Sequence, residues 1–491
     1  MIIVCTEMVL DVKGKMEGWV DIIGKYLMGS NIAGLMDFIL NNRRIQLPQC
    51  GPQTTLLEWL RSNGLTGSKE GCAEGECGAC TVLLVRPHGS GSKFVPVNSC
   101  LLFLPTLAGQ EVLTIEVLNE KKQLAEAQFA MAKAGGSQCG YCTPGFVMSL
   151  FAEQYRPGRT GLCDPHAMGG NLCRCTGYRP IRDAALSLGP APDDSFRGRL
   201  DLPAPSMIPV SYTSIEGRLE RPGNLAQCST FLEKYPDAKI LAGATDLAVE
   251  SNLAYKRWPV LMSIDAVAEL QVFQDAADHV EIGAGLPLSE IELLWEQAPL
   301  VAREWFPLFA SILIRNRATL GGNLGTASPI GDAAPLLLAL DAELKLGGAN
   351  GIRRVKLQDF FLGYRKTQLE PGELIVSIII PKPFPNQARF YKVAKRRMDD
   401  ISTVAGCFAL NFDADGRIAQ ARVAYGGVAA VPIRVTEAEQ SLLGKRWDEL
   451  AVQQAQAIIA SKLKPLSDHR GSAVYRLAMA QTLLNKFWCE R

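Results

Sequence analysis

Cys72, Cys77 and Cys80 lie in KEGCAEGECGACTV at C-x4-C-x2-C spacing, and Cys100 follows in VPVNSCLLF. Three closely spaced thiols with one distant thiol are the plant-type ligand run for a [2Fe–2S] cluster. Such a loop must wrap a compact inorganic core and aim amide N–H groups at sulfur, which often needs positive φ, and Gly71, Gly75 and Gly78 supply that freedom. A second set follows, Cys139 and Cys142 in QCGYCTPG, then Cys173 and Cys175 in GGNLCRCTGY. Zinc is the competing reading of C-x2-C pairs, but zinc sites usually pair two similar knuckles. Here C-x4-C-x2-C plus a lone thiol is followed by C-x2-C plus C-x-C, so two [2Fe–2S] clusters are expected. Cys163 lies between the halves of the second set and is expected to be structural, because four ligands are present without it.

At 491 residues the chain exceeds one ordinary core, and two to four domains are expected. Its 47% apolar and 21% charged residues are the balance of a globular protein. Lys plus Arg number 51 against 50 Asp plus Glu, which argues against nucleic acid or an anionic membrane surface as principal partner. The longest aliphatic run, near Leu374 to Ile380, is far short of the ~20 residues needed to cross a bilayer. A disulfide framework would need a secretory context and usually a small domain. The first 35 residues show no cationic start, apolar core and small-residue cleavage site. Cys5, Cys50, Cys228, Cys407 and Cys489 are scattered, like Cys163, and are expected to be reduced thiols in a cytoplasmic protein.

Residues 1–35 have weak helical spacing interrupted by glycine. They read either as an extension or as an upstream start before Met36, and the second is preferred because MDFILNNRRIQL opens like the first hairpin of a ferredoxin-like domain. Residues 36–120 read as a compact β-rich module, with a short helix in TTLLEWLRSNG ended by Gly64. Residues 121–187 turn helical in LAEAQFAMAKAG and PGFVMSLFAEQY, with Pro144 suited to a first turn. The stretch 188–212 is rich in Pro, Asp and Gly without periodicity, so a linker is expected. Residues 213–383 and 386–491 alternate strand and helix signals and read as two further α+β domains.

No G-x-G-x-x-G follows a strand, so a Rossmann dinucleotide site is not supported. Two small-residue loops stand in its place, AGATD at 242–246 and LGGNLGTASPIGD at 320–332. Such loops can present several backbone N–H groups to a pyrophosphate. Either alone is often a plain turn. Downstream of two iron–sulfur sets they point to a flavin, which converts single electrons into the pairs a hydride carrier needs.

The order CAEGECGAC, Cys100, QCGYCTPG, GNLCRCTGYRP, AGATD, TLGGNLGTASPIGD, GYRKT and KRRMDDIS closely resembles the xanthine dehydrogenase/oxidase family, from about residue 36 to the C-terminus. The family's molybdenum-cofactor domains lie outside this sequence. The resemblance is to the iron–sulfur/FAD subunit of two-subunit bacterial members, whose partner holds molybdopterin. It implies a multidomain α+β fold: a β-grasp plant-type ferredoxin domain, a helical-bundle [2Fe–2S]-binding domain, a PCMH-type FAD-binding domain and a C-terminal α+β flavoprotein domain. It implies that Cys72, Cys77, Cys80 and Cys100 hold the cluster nearer the flavin. Cys139, Cys142, Cys173 and Cys175 would hold the one nearer the partner's molybdopterin, and Gln138 would touch that pterin.

The resemblance also places FAD contacts on Ile240, Leu241, Ala242, Gly243, Ala244, Thr245, Asp246 and Leu247. Further contacts fall on Phe309, which would cover the isoalloxazine face, and on Thr319, Leu320, Gly321, Gly322, Asn323, Asp332, Ile375 and Lys392. Tyr364 and the run Arg396-Arg397-Met398-Asp399-Asp400 would shape access to the flavin and to NAD; without the resemblance that run reads as a solvated charged face. No general base or nucleophile is implied in this chain. The implied activity is oxidation of xanthine or hypoxanthine by a larger molybdopterin-binding subunit, with electrons passing through this chain to NAD⁺, in a dimer of heterodimers. Two alternatives stand beside it: a partner acting on an aldehyde or N-heterocycle, and a stand-alone iron–sulfur flavoprotein reductase.

Overall fold

The computed structural model describes residues 36–119 and 123–490, and the 1–35 segment lies outside the described residues. Asn41 and Asn42, at φ 50 and 63, form the tight turn between β1 (Asp37–Leu40) and β2 (Arg43–Gln46). Asparagine tolerates that left-handed backbone better than other side chains. The long hairpin of β3 (Thr81–His88) and β4 (Gly91–Asn98) joins them through β5 (Glu111–Leu113), in the order β2-β1-β5-β3-β4 with β1 and β5 parallel. Thr55 and Glu58 form a capping box that starts the helix Leu56–Ser62, which buries Leu56, Leu57 and Leu60. The result is a β-grasp module.

Three helices follow, Glu126–Lys133, Thr143–Gln154 and Arg179–Ser187, and Pro144 sits in the first turn of the second. Their apolar faces share one core with Leu83, Val85 and Phe94 of the β3–β4 hairpin. The two cysteine regions are therefore halves of one packed body. The stretch 188–212, expected as a linker, carries the helix Ser195–Leu200 instead, capped by Asp194, which accepts from the amides of Phe196 and Arg197. Leu200 enters the shared core, and Arg199 grips Glu111 of β5 at 2.6 Å. Its high Pro and Gly content hides a short helix from a periodicity test.

Residues 210–381 build two main sheets. The first runs β6 (Val210–Ser214), β7 (Gly217–Arg221), β9 (Val260–Ser263), β8 (Lys239–Leu241), with parallel pairing of β7 and β8 to β9. The second is antiparallel and contains β10 (Phe273–Asp275), β11 (His279–Gly283), β12 (Glu343–Gly348) and β13 (Gly351–Lys356). A small hairpin, β14 (Phe361–Gly363) and β15 (Lys366–Thr367), precedes β16 (Leu374–Pro381), which fills the centre of the second sheet between β11 and β12. Its near-continuous apolar run suits a strand covered on both faces. Ile378 and Ile380 join the largest core, while Leu374 and Val376 pack with Met262 and Ile264 at the first sheet.

Four antiparallel strands close the chain, β17 (Gln387–Val393), β18 (Val404–Phe412), β19 (Ile418–Gly426) and β20 (Ile433–Arg434), paired in sequence order. The helix Ala473–Cys489 packs Phe487 against Phe408 of β18, and the helix Glu449–Lys462, which no sequence signal singled out, adds Val452 and Ile459 to the same core. The four-part α+β architecture implied by the resemblance is the one observed. Among the described residues no helix is long and apolar enough to cross a membrane.

One buried cation fastens the parts together. Arg221, at the end of β7 and fully buried, donates to the carbonyls of Ile208, Thr106 and Ala108 at 2.6–2.8 Å. All three acceptors are backbone carbonyls, two of them in the β-grasp module. Hydrogen bonding on every side is what makes such a buried guanidinium tolerable.

Candidate cofactor sites

In the first cysteine set Cys80 and Cys100 are both buried, and their sulfurs are 3.4 Å apart. Cys72 is paired through its side chain with Cys77 and also accepts from the amides of Glu74 and Cys77 at 3.5 and 3.4 Å. The bond from Cys77, followed by those amides, holds the Cys72 thiol down at about 5, against the opposing effect of burial. The loop takes left-handed turns at Ala73, Gly75 and Gly78, and a Cβ on Gly71 would stand 2.7 Å from the Cys77 sulfur. The amides thus point inward, as the glycine pattern led one to expect.

The second set pairs in the same way, Cys139 with Cys175 and Cys142 with Cys173. Cys142 stands at the N-cap position of the helix Thr143–Gln154. Cys173 is held from two sides: its amide donates to the Tyr178 hydroxyl at 3.0 Å, and its sulfur accepts from the Thr176 amide at 3.4 Å. Among the described residues no three His, Cys, Asp or Glu side chains converge as a single-ion site requires. Two pairs per set is the donor arrangement that two bridged iron atoms require, so the residues fit [2Fe–2S] clusters.

The two sets differ in exposure. In the second set Cys139 and Cys175 are exposed, as is Gln138, while Cys142 is half-buried and Cys173 buried. In the first set Cys72 and Cys77 are half-buried and Cys80 and Cys100 buried, so only the second set has exposed thiols. They are also joined directly: the Leu172 amide donates to the Cys77 carbonyl at 2.9 Å, one residue before Cys173. Cys163 belongs to neither set. It is buried among Arg159, Glu153 and Arg156, its thiol pushed up to about 11 by burial, and its amide donates to the Leu188 carbonyl. Cys163→Ser is expected to leave both iron–sulfur EPR signals intact; loss of either would make it a ligand.

The two small-residue loops line one cavity of about 410 Å³. Of the residues expected to hold FAD, Ile240, Ala242, Gly243, Ala244, Thr245, Asp246, Leu247, Phe309, Thr319, Gly322, Asn323 and Asp332 line it. Five do not. Leu241 and Leu320 are buried in the protein interior, Gly321 backs onto Ala284, and Ile375 belongs to β16 behind the wall. Lys392 stays outside the lining because its ammonium is bound to Asp332 at 2.8 Å and to the Leu308 carbonyl at 2.8 Å. It acts on the cavity by neutralising a carboxylate that is itself buried, and the pair survives burial because both members are bonded.

The stretch 320–325 is not the loop the sequence led one to expect. It is a short helix, Leu320–Gly325, whose cap Thr319 accepts from the Gly322 amide at 2.9 Å. The first amides of this turn are already engaged, Gly321 with the Ala284 carbonyl at 3.1 Å, Gly322 with Thr319 Oγ1 and Asn323 with the Thr319 carbonyl at 3.0 Å, so the glycines serve here by keeping side chains out of the cavity. On the other wall burial raises the pKa of Asp246, and Arg365 stands 3.9 Å from its carboxylate. Phe309 lies against Trp305, ring centres 5.3 Å apart.

The rim comes from the C-terminal part. Asp400 and Ile401 line the cavity, while Tyr364 is largely exposed and its neighbour Arg365 reaches the lining in its place. Arg396 donates to the Asp399 carbonyl and forms an ion pair with Glu76 of the first cysteine loop at 3.3 Å. Asp399 is buried in a left-handed backbone, and burial, with Glu76 nearby, pushes its carboxyl up to about 7. Arg396, Arg397 and Met398 are exposed, as a solvated charged face would be, while Asp399 and Asp400 turn inward. Ala310, Ile314, Ala318, Thr326, Ser328, Ile330 and Gly331 also line the cavity and were not singled out residue by residue. Apolar residues such as Ile314 carry no sequence mark that separates a cavity wall from a core.

Four family models match the chain: "2Fe-2S iron-sulfur cluster binding domain" over residues 38–103 and "[2Fe-2S] binding domain" over 114–186. "FAD binding domain in molybdopterin dehydrogenase" covers 213–383, and "CO dehydrogenase flavoprotein C-terminal domain" covers 389–491. Xanthine dehydrogenase 2 of Arabidopsis thaliana is 32% identical over 91% of this chain and 39% of its own length. Xanthine dehydrogenase/oxidase of Mus musculus is 32% identical over 92% and 38%. The chain thus spans about two-fifths of the length of these relatives. Among solved structures, the CO dehydrogenase of Oligotropha carboxidovorans aligns at TM-score 0.52 and 30% identity over 57% of this chain and 97% of its own. Quinoline 2-oxidoreductase from Pseudomonas putida 86 aligns at 0.51 and 28% over 55% and 94%. By motifs, fold and relatives, the chain belongs to the xanthine dehydrogenase/oxidase family and corresponds to its iron–sulfur and FAD domains.

Proposed function

We propose that this chain is the electron-transfer subunit of a molybdenum hydroxylase, feeding NAD⁺ with electrons from xanthine or hypoxanthine oxidised at a larger molybdopterin-binding partner. Cys139, Cys142, Cys173 and Cys175 would hold the [2Fe–2S] cluster facing the partner, and Cys72, Cys77, Cys80 and Cys100 the one facing the flavin. The cavity walls at 240–247 and 319–323, with Phe309 and Asp332, would hold FAD. Bound there, the clusters carry electrons singly and the flavin pairs them for hydride transfer. The chain's own residues place and tune: amides and paired thiols hold the sulfurs, and the Lys392–Asp332 pair fixes one end of the cavity.

The gradient of exposure carries this reading. The set with two exposed thiols, with Gln138 beside it, is where an outside donor could approach, and the set with no exposed thiol meets the cavity wall at Ile314. The test is purification from native cells, followed by reduction with xanthine and with NADH under visible and EPR spectroscopy. A larger molybdenum-containing chain should co-purify, and both reductants should bleach clusters and flavin. A flavin- and iron–sulfur-loaded chain isolated without such a partner would favour a stand-alone reductase. The alignment with quinoline 2-oxidoreductase supports a second reading, in which the partner oxidises an N-heterocycle. Reduction by such a compound, with no response to xanthine, would select it.

A further inference from the structure

The first cysteine loop meets the wall of the cavity at Ile314. Gly75, inside the cysteine loop, is pressed so close to its neighbours that a Cβ there would stand 2.5 Å from Leu101 Cδ1 and 2.7 Å from Ile314 Cδ1. Ile314 also lines the cavity. Two amide side chains fasten this contact. Asn252 Nδ2 donates to both the Ala73 and the Cys100 carbonyls at 2.8 Å, gripping the two separated strands of chain that supply the first thiol set. Asn252 sits on the helix Leu247–Leu253, which continues directly from the cavity loop. Asn316 Nδ2 donates to the Pro96 carbonyl at 2.7 Å, tying the helix that carries Ile314 to β4, the strand leading to Cys100.

We infer that Ile314 fills, and Asn252 fixes the width of, the gap that electrons cross between the first cysteine set and the flavin cavity. The inference rests on the reading of those two sites as a [2Fe–2S] cluster and FAD. No bond is made or broken in the crossing: for each electron, the cluster side is oxidised by one and the flavin side reduced by one. Tunnelling falls steeply with distance, and holding two redox partners in fixed geometry is a positioning task in which small displacements have large rate effects. Asn252 suits it because a single amide engages both cysteine segments, so they cannot drift from the cavity independently. Both residues are positioning residues.

The test uses the full chain loaded with clusters and flavin, with Asn252→Ala, Ile314→Ala and the volume-conserving Ile314→Leu. Pulse radiolysis with a one-electron donor reads the cluster and flavin bands separately, and hydrogen exchange reads the amides of residues 72–77. Asn252→Ala should speed exchange of those amides and slow cluster–flavin equilibration on the order of tenfold, with both cofactors retained. Ile314→Ala should slow equilibration without loosening the loop, and Ile314→Leu should restore it. Asn252 does not line the cavity, so its variant carries the test even if Ile314→Ala loses flavin. Wild-type equilibration rates and unchanged exchange in Asn252→Ala would overturn the inference while leaving the cofactor assignment standing. A wild-type chain that binds only one of the two cofactors would overturn both.

Discussion

Gly243→Ala is expected to yield a protein that keeps both iron–sulfur signals and loses most of its flavin. A Cβ at Gly243 would lie 1.9 Å from the Arg317 carbonyl oxygen, 2.4 Å from its carbon and 3.0 Å from the Ala318 nitrogen. These are backbone atoms, and they are held: the Arg317 and Ala318 amides both donate to the Ile314 carbonyl, and the Ala318 carbonyl accepts from Leu288. The loop carrying Gly243 must therefore move away from the segment leading to Thr319. Those two segments are the opposing walls of the cavity, so the methyl group spreads them where the ligand must touch both. Overpacking of this kind costs about 1–3 kcal/mol. Taken from binding, at about 1.4 kcal/mol per factor of ten, it weakens FAD by roughly ten- to a hundredfold. Flavin absorbance per chain after purification, followed by titration with FAD, measures it, with cluster EPR as control. Full flavin occupancy in this variant would show that the two walls are not joined at Gly243.

That joint explains what the sequence could and could not reveal. The cysteine spacings marked both thiol sets because thiols are rare and their chemistry fixes their spacing. The pairing of Cys139 with Cys175 and of Cys142 with Cys173, across the C-x2-C and C-x-C motifs, is decided by how the helices pack and is invisible in the motifs. AGATD and LGGNLG were visible as small-residue runs, but the second is a helix start, because Thr319 caps it and glycine does not prevent a single turn. Ile314 and Asn252 could not be seen at all. An isoleucine and an asparagine occur everywhere, and their roles arise only from the distant segments the fold brings beside them. The helix Ser195–Leu200 was missed because its stability comes from Asp194 at its cap and Arg199 on Glu111, not from a repeating apolar face.

The same logic, applied between the two thiol sets, makes Asn171→Leu the second variant with a large expected effect. Asn171 is buried in the GNLCRC motif with all its amide groups engaged. Its Nδ2 donates to the Gly78 carbonyl at 3.0 Å and to Thr81 Oγ1 at 3.1 Å, and its Oδ1 accepts from Ser149 Oγ at 2.6 Å. One side chain thus ties the first cysteine loop to the helix that follows Cys142. The space around it is already full: a Cβ on Gly145 would lie 2.2 Å from the Gly78 carbonyl oxygen. Leucine has a similar volume and leaves little cavity, so the cost is polar. The Ser149 hydroxyl, almost wholly buried, loses its acceptor, and Thr81 loses a donor. Gly78 keeps the bond from the Thr81 hydroxyl, and Ser149 can turn back to its own helix, which moderates the loss. At about 1–3 kcal/mol per stranded group, a net loss of about 2–4 kcal/mol is expected. For a unit of this size that lowers the melting temperature by roughly 5–15 °C, followed by cluster absorbance. Because the neighbouring Leu172 amide holds the Cys77 carbonyl, loosening Asn171 should also weaken the magnetic coupling between the two reduced clusters in EPR. Flavin content should stay unchanged, since none of these residues lines the cavity. An unaltered melting temperature with unaltered coupling would mean that the helices alone set the spacing of the two thiol sets, and that Asn171 only fills space between them.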